Sequence, residues 1–106
     1  MPHAAVPQAL VLGGTMHMNQ VRYFLALCEE RNFTRAAERC GVKQPSLTKA
    51  IKSLESRLGG ELFERNQSET QLTKLGKLVH PRMQRINQEA TYALQIAKQT
   101  KVRKSS

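Results

Sequence analysis

No aspartate occurs anywhere in the 106 residues; all eight acidic side chains are glutamate. No nucleophile is paired with a base by spacing, and no glycine-rich loop of the phosphate-cradling kind is present, so an enzyme is the function class this chain fits least. Cysteine is scarce: Cys28 and Cys40 show neither a C-x-x-C nor a zinc spacing, and His3, His17 and His80 are scattered. That pattern leaves no metal site and calls for no cofactor. Both cysteines fall on apolar helix faces and are expected to be reduced core residues, as in a cytoplasmic protein. Long apolar runs are missing too. The longest, ALVL at 9–12, is far short of the roughly 20 residues a membrane span needs. The opening MPHAAVPQALVLGGTMH lacks a basic n-region, which makes it a poor signal peptide. With two prolines and a Gly-Gly pair, residues 1–17 are expected to be a disordered extension, and Met18, where patterning begins, competes with Met1 and Met16 as the start of translation.

Positive charge is abundant. Lys and Arg number 17, the net charge is +9 and the pI is about 10.2, which favours a polyanionic partner. The charge is uneven. Residues 43–58 carry Lys43, Lys49, Lys52 and Arg57 against Glu55, and residues 74–106 carry eight bases against Glu89, whereas residues 59–73 hold Arg65 against Glu61, Glu64 and Glu69. The length fits one small domain that a dimer or a partner would help to stabilise.

Apolar spacing predicts the elements. Val21, Phe24, Leu25, Leu27 and Cys28 make one helical stripe from Asn19 to about Arg31. A second, short helix follows, with Thr34 as the expected N-cap, Ala36, Ala37 and Cys40 on its inner face, and Gly41 as a left-handed C-terminal cap. A third begins at Lys43 or Gln44, has Pro45 in its first turn, buries Leu47, Ala50, Ile51, Leu54 and Leu58, and stops at Gly59-Gly60. ELFERNQSETQLT then reads as a short hairpin, Leu62 and Phe63 against Leu72 and Thr73. From about Lys74 a long stripe runs through Leu75, Val79, Met83, Ile86, Ala90, Leu94 and Ala97, with Pro81 inside it predicting a kink or a restart.

The second and third helices, with Gly41 between them, have the spacing of a helix-turn-helix, and the hairpin makes it a winged one. In such a unit the second helix presents its N-terminal turn to base edges. Its outer face is read as Gln44, Ser46, Thr48, Lys49, Lys52 and Ser53. Gln44 has the groups for a bidentate pair with adenine, Ser46 and Thr48 suit a purine edge or a thymine methyl, and Pro45 offers an apolar contact. Lys49 and Lys52 reach guanine or phosphate. Thr34 and Arg35, at the start of the helix that crosses the backbone, and Lys43 in the turn are phosphate candidates. Arg65, on the wing, is either a sugar-phosphate contact or the partner of Glu61 or Glu64.

At this point the sequence resembles a known family. NFTRAAERCGVKQPSLTKAIKSLESRLGGELFER followed by QLTKLG, preceded by MNQVRYFLALCEERNFT, is similar to the N-terminal DNA-binding domain of LysR-type transcriptional regulators over about residues 18–97. The F-T-x-A-A, Q-P, L-E-x-x-L-G, L-F-x-R and L-T-x-x-G steps occur in order. The resemblance implies a mainly α fold: a winged helix-turn-helix of three helices and a hairpin wing, then a long linker helix that pairs in a dimer, with the two recognition helices in successive major grooves. It divides the chain into an extension (1–17), the DNA-binding domain (18–76, the helix-turn-helix at about 33–52), a linker and dimerisation helix (77–100) and a basic tail (101–106). Three positions depart from the family pattern and bear on base preference and on the wing: Lys43 stands where Ser is usual before Gln-Pro, Ala50 where Gln is usual, and Ser68 where Arg is usual.

The long stripe has its own implication. So little domain remains to bury Leu75, Val79, Met83, Ile86, Ala90, Leu94 and Ala97 that a second copy of the helix is the expected cover, giving a homodimer, while Arg82, Arg85, Lys98 and Lys101 form a solvated face. The expected function is a sequence-specific, double-stranded DNA-binding transcriptional regulator with helix 44–58 in the major groove. The alternative is a non-enzymatic DNA-binding or dimerisation module that antagonises a full-length relative. No membrane partner is expected, and the family's effector-binding domain, with its small-molecule site, is not among these residues.

Overall fold

A computed structural model describes residues 16–65 and 69–105. The expected extension, apart from Met16 and His17, and the variant wing position Ser68 lie outside the described residues. Five stretches of regular structure before the last helix are short: α1 (Met18–Glu30), α2 (Phe33–Cys40), α3 (Gln44–Leu58), β1 (Phe63–Glu64) and β2 (Gln71–Leu72). The last, α4, runs from Lys74 to Ser105, about 48 Å at 1.5 Å per residue. It starts at Lys74, where the apolar stripe is expected to begin, continues into the residues expected to be a tail, and is unbroken at Pro81. Seven residues into the helix, Pro81 costs a hydrogen bond without ending the element.

The core is built from one face of each element. Val21, Phe24 and Leu27 of α1, Ala36 and Ala37 of α2, and Leu47, Ile51 and Leu54 of α3 are fully buried with Leu62, Phe63 and Met83. The Phe24 and Phe63 rings meet at 5.5 Å between centroids, and the His80 ring of α4 lies 6.1 Å from that of Phe24. Ala36 and Ala37, both buried, put only small side chains where α2 packs on its neighbours. Gly41 (φ 72°) and Gly59 (φ 83°) occupy the left-handed region that closes α2 and α3.

Several local details differ from expectation. Asn32, not Thr34, caps α2: its side chain accepts the Arg35 amide at 2.8 Å, and Phe33 is the first helical residue. Asn is the better cap of the two, which moves the helix start back. Thr73 is not a strand residue. It caps α4, accepting the Gly76 amide at 3.1 Å while its hydroxyl donates to the Glu61 carbonyl at 2.6 Å. Gly76 is confined by a close approach, since a Cβ there would sit 2.3 Å from the Leu62 carbonyl oxygen. Cys28 and Cys40 are free thiols but only half-buried, at the edge of the core rather than in it. Burial, aided by the neighbouring charge of Glu29, still pushes the Cys28 thiol up to about 12.

The wing pairs Phe63 with Leu72 and Glu64 with Gln71, antiparallel. Its return arm is tied to the α1–α2 turn: the Thr70 amide donates to the Arg31 carbonyl at 3.2 Å, and Glu69 lies 3.7 Å from Arg31.

Candidate nucleic-acid interface

α3 is held on its inner side by Leu47, Ile51 and Leu54 and from beyond by Gln20. That α1 side chain is buried, and its amide donates to the Ser53 hydroxyl at 3.2 Å. Ser53 therefore belongs to the helix packing, not to the outer face where the helical pattern put it. The rest of the expected face is open to solvent to differing degrees. Lys43, Gln44, Pro45, Ser46, Lys49 and Lys52 are exposed and Thr48 is half-exposed. Lys43 is the N-cap position and supplies only backbone to the cap, so its side chain is not consumed by the helix start.

The α2 start lies beside the α3 start. Thr34, exposed and relieved of capping by Asn32, donates its hydroxyl to Gln44 Oε1 at 3.3 Å. Arg35 is exposed but tethered: it donates to the Glu30 carbonyl at 3.1 Å, with the Glu30 carboxylate 3.7 Å from its Nε.

At the other end of α3 is a group that the residue pattern did not single out. Glu55 is only 8 % exposed. Its carboxylate accepts the Leu62 amide at 2.7 Å and the Arg65 guanidinium at 2.5 Å. Arg65 thus pairs with Glu55, and not with Glu61 or Glu64, and its guanidinium carbon stands 5.9 Å over the Phe33 ring. A buried carboxylate with two charge-assisted or amide donors is a brace, here between the recognition helix and the wing. The signal was an acid beside Leu54 at the edge of an apolar stripe, with a lone arginine ten residues on. Together Gln44, Thr48, Lys52, Phe33 and Arg65 line one open groove between α3 and the base of the wing. Four of the expected contact residues are brought together there.

The long stripe is divided. Met83 is buried in the core, and Leu75, Val79 and Ile86 pack against it. Ala90 is half-buried, and every residue from Thr91 to Lys101 is exposed, Leu94 at 68 %. The domain is thus large enough to cover the first four positions itself, and a shortage of cover exists only for the last three. Arg82, Arg85 and Lys98 are exposed, and Arg85 lies 3.4 Å from Glu89. Among the described residues no helix is long and apolar enough to cross a membrane, and no group of three or more potential ligands gathers for a metal.

Three short helices, a two-stranded wing and a basic outer helix face followed by a long helix define a winged helix-turn-helix DNA-binding domain with its linker helix. Residues 18–77 match the bacterial regulatory helix-turn-helix proteins of the lysR family, and the chain belongs to that family of transcriptional regulators, which are not enzymes. Over 63 residues it is 46 % identical to a probable cat1 operon transcriptional activator of Acinetobacter lwoffii, a match spanning 59 % of this chain and 21 % of that one. The fold superposes on full-length OxyR (C199D) of Pseudomonas aeruginosa with a TM-score of 0.76 and 37 % identity, covering 79 % of this chain and 28 % of that one. It superposes equally on the BenM DNA-binding domain in complex with catB site 1 DNA, with a TM-score of 0.75 and 30 % identity, covering 79 % of this chain and 93 % of that one. The chain therefore spans about a fifth of the curated relative's length and nearly all of a DNA-binding domain.

Proposed function

We propose that the chain binds double-stranded DNA sequence-specifically, as part of transcription regulation, with α3 in the major groove. The observation that carries this is the division of α3 into a fully buried face and an exposed face bearing Gln44, Pro45, Ser46, Lys49 and Lys52. Rigid anchoring is what makes such a face able to discriminate, because contacts to base edges depend on fixed geometry. In this reading Gln44, Ser46 and Thr48 read bases with Pro45 as an apolar contact. Lys43, Lys49, Lys52 and the α2 start at Thr34 and Arg35 meet phosphates. Arg65 faces the sugar-phosphate at the base of the wing through the donors that Glu55 leaves unused. Crystallisation of the related BenM domain with DNA supports the partner.

The chain acts as a homodimer in this reading. Leu75, Val79, Met83 and Ile86 fix α4 to its own domain, and Ala90, Leu94 and Ala97 continue the same line outward as the seam for a second copy. Selection from a random duplex pool, followed by competition at physiological salt, tests the reading. The selected duplex should win by roughly 10³-fold or more over random DNA, with two half-sites about one helical turn or a multiple apart. Equal competition would reduce the chain to a non-specific DNA-binding module.

A further inference from the structure

We infer that Thr34 is a positioning residue that sets the hydrogen-bonding polarity of Gln44, and so which base Gln44 selects; this rests on the DNA-reading role proposed for α3. A glutamine amide carries one acceptor and two donors, and a free one turns to suit either a donor or an acceptor edge. Here one of the oxygen's two lone pairs is engaged, which turns the oxygen toward Thr34. The Thr34 hydroxyl donates to Gln44 Oε1 across the helix-turn-helix, at 3.3 Å between residues ten apart in sequence. Two features make this bond available. Asn32 satisfies the α2 N-terminus in Thr34's place, accepting the Arg35 amide, so the threonine hydroxyl is not spent on capping. Gln44 is the first residue of α3, directly after the Lys43 cap, which brings its side chain to the start of α2.

With Oε1 turned to Thr34, the Nε2 amide hydrogens are left for the groove. A donor pair suits an edge that offers acceptors, O6 and N7 of guanine or O4 of thymine. It suits less well the two-sided pairing with adenine, in which the oxygen would have to accept from N6 on its second lone pair while held toward Thr34, and less well the N4 donor of cytosine. The adenine pairing open to a free glutamine is therefore disfavoured by a neighbour that need not touch the base. Nothing in the two side chains changes charge, so the effect falls on preference and not on the salt dependence of binding.

The test is selection from a random duplex pool with the full chain and four variants: Thr34→Val, Thr34→Ser, Gln44→Ala and Thr34→Val with Gln44→Ala. Thermal melts establish that each folds. The wild type should favour guanine or thymine at one position per half-site, by roughly 5- to 150-fold over the disfavoured bases. Thr34→Val keeps the shape and removes the hydroxyl; adenine should rise there to within about twofold of the favoured base, against that wild-type range. Thr34→Ser should keep the wild-type preference, and Gln44→Ala should abolish it whether or not Thr34 is changed. If Thr34→Val weakens all sequences alike and leaves the base preference intact, Thr34 serves the phosphate contact of the α2 start alone and the inference is wrong. If Gln44→Ala leaves the preference intact, Gln44 is no reader and the inference falls while sequence-specific binding stands. If the wild type selects no sequence, both fall.

Discussion

α3 and α4 have the same sequence signature and opposite surroundings. Each carries an apolar line at helical spacing on one side and basic residues on the other. In α3 the line is covered along its whole length: Leu47, Ile51 and Leu54 are fully buried, with Ala50 and Leu58 at the margins. In α4 cover stops after Ile86, and Leu94 and Ala97 stand in the open. Periodicity says which side of a helix is apolar. It does not say what lies against that side, because cover depends on how far the rest of the domain reaches. The contrast matters for function. A helix covered on one side by its own domain becomes a rigid platform, and one that projects past its domain becomes a handle for something else.

The sharpest way to break the comparison is to open the covered line. Leu54→Ala removes a fully buried side chain from the inner face of α3 and should destabilise the domain by about 2–5 kcal/mol, read from urea or thermal unfolding. DNA binding should be lost with folding, not before it. A loss of less than about 1 kcal/mol would mean that α3 is no better anchored than the outer half of α4.

Next in size is the brace at the α3 end. Glu55→Gln keeps an acceptor for the Leu62 amide but discards the charge that Arg65 meets, and should cost roughly 1–2 kcal/mol. The lower end is favoured because the Arg65 side chain is 32 % exposed. Since Glu55 itself is buried, most of that cost should survive in 1 M salt. Unfolding measured at low and high salt checks this; a cost that vanishes in salt would make the pair an ordinary surface contact.

Legibility in the sequence follows the same division. The glycine-capped helix ends were readable because they are local: Gly41 and Gly59 end helices by their own φ, whatever surrounds them. The outer face of α3 was readable except for Ser53, whose partner Gln20 lies 33 residues away. Thr34 was misassigned as a cap because N-F-T offers two capping residues, and only the backbone shows which is used. Glu55 was hidden for a different reason. Its value comes from Leu62 and Arg65 converging on it, which no spacing rule describes. The motif steps did carry this information in compressed form: the L-T-x-x-G step holds the Thr73 cap and the Gly76 close approach, and the L-E-x-x-L-G and L-F-x-R steps hold the two halves of the brace.

The smallest expected effect on unfolding comes from the uncovered line, and it decides what that line is for. Leu94→Ala should change the unfolding free energy of the monomer by no more than about 0.5 kcal/mol, because the side chain has little to lose. Association should respond far more. A twofold interface contains the residue twice, and each buried leucine is worth roughly 1.5–3 kcal/mol, so the dimer dissociation constant should rise by about 10²- to 10⁴-fold. Sedimentation across a concentration series measures it. Ile96→Ala is the control, since two residues at 3.6 per turn place Ile96 roughly 160° around the helix from Leu94, and it is also exposed. Dissociation in the Ile96 variant alone would move the seam to the face that carries Leu78 and Tyr92. Apolar continuity with the core would then not be what selects the pairing side of α4.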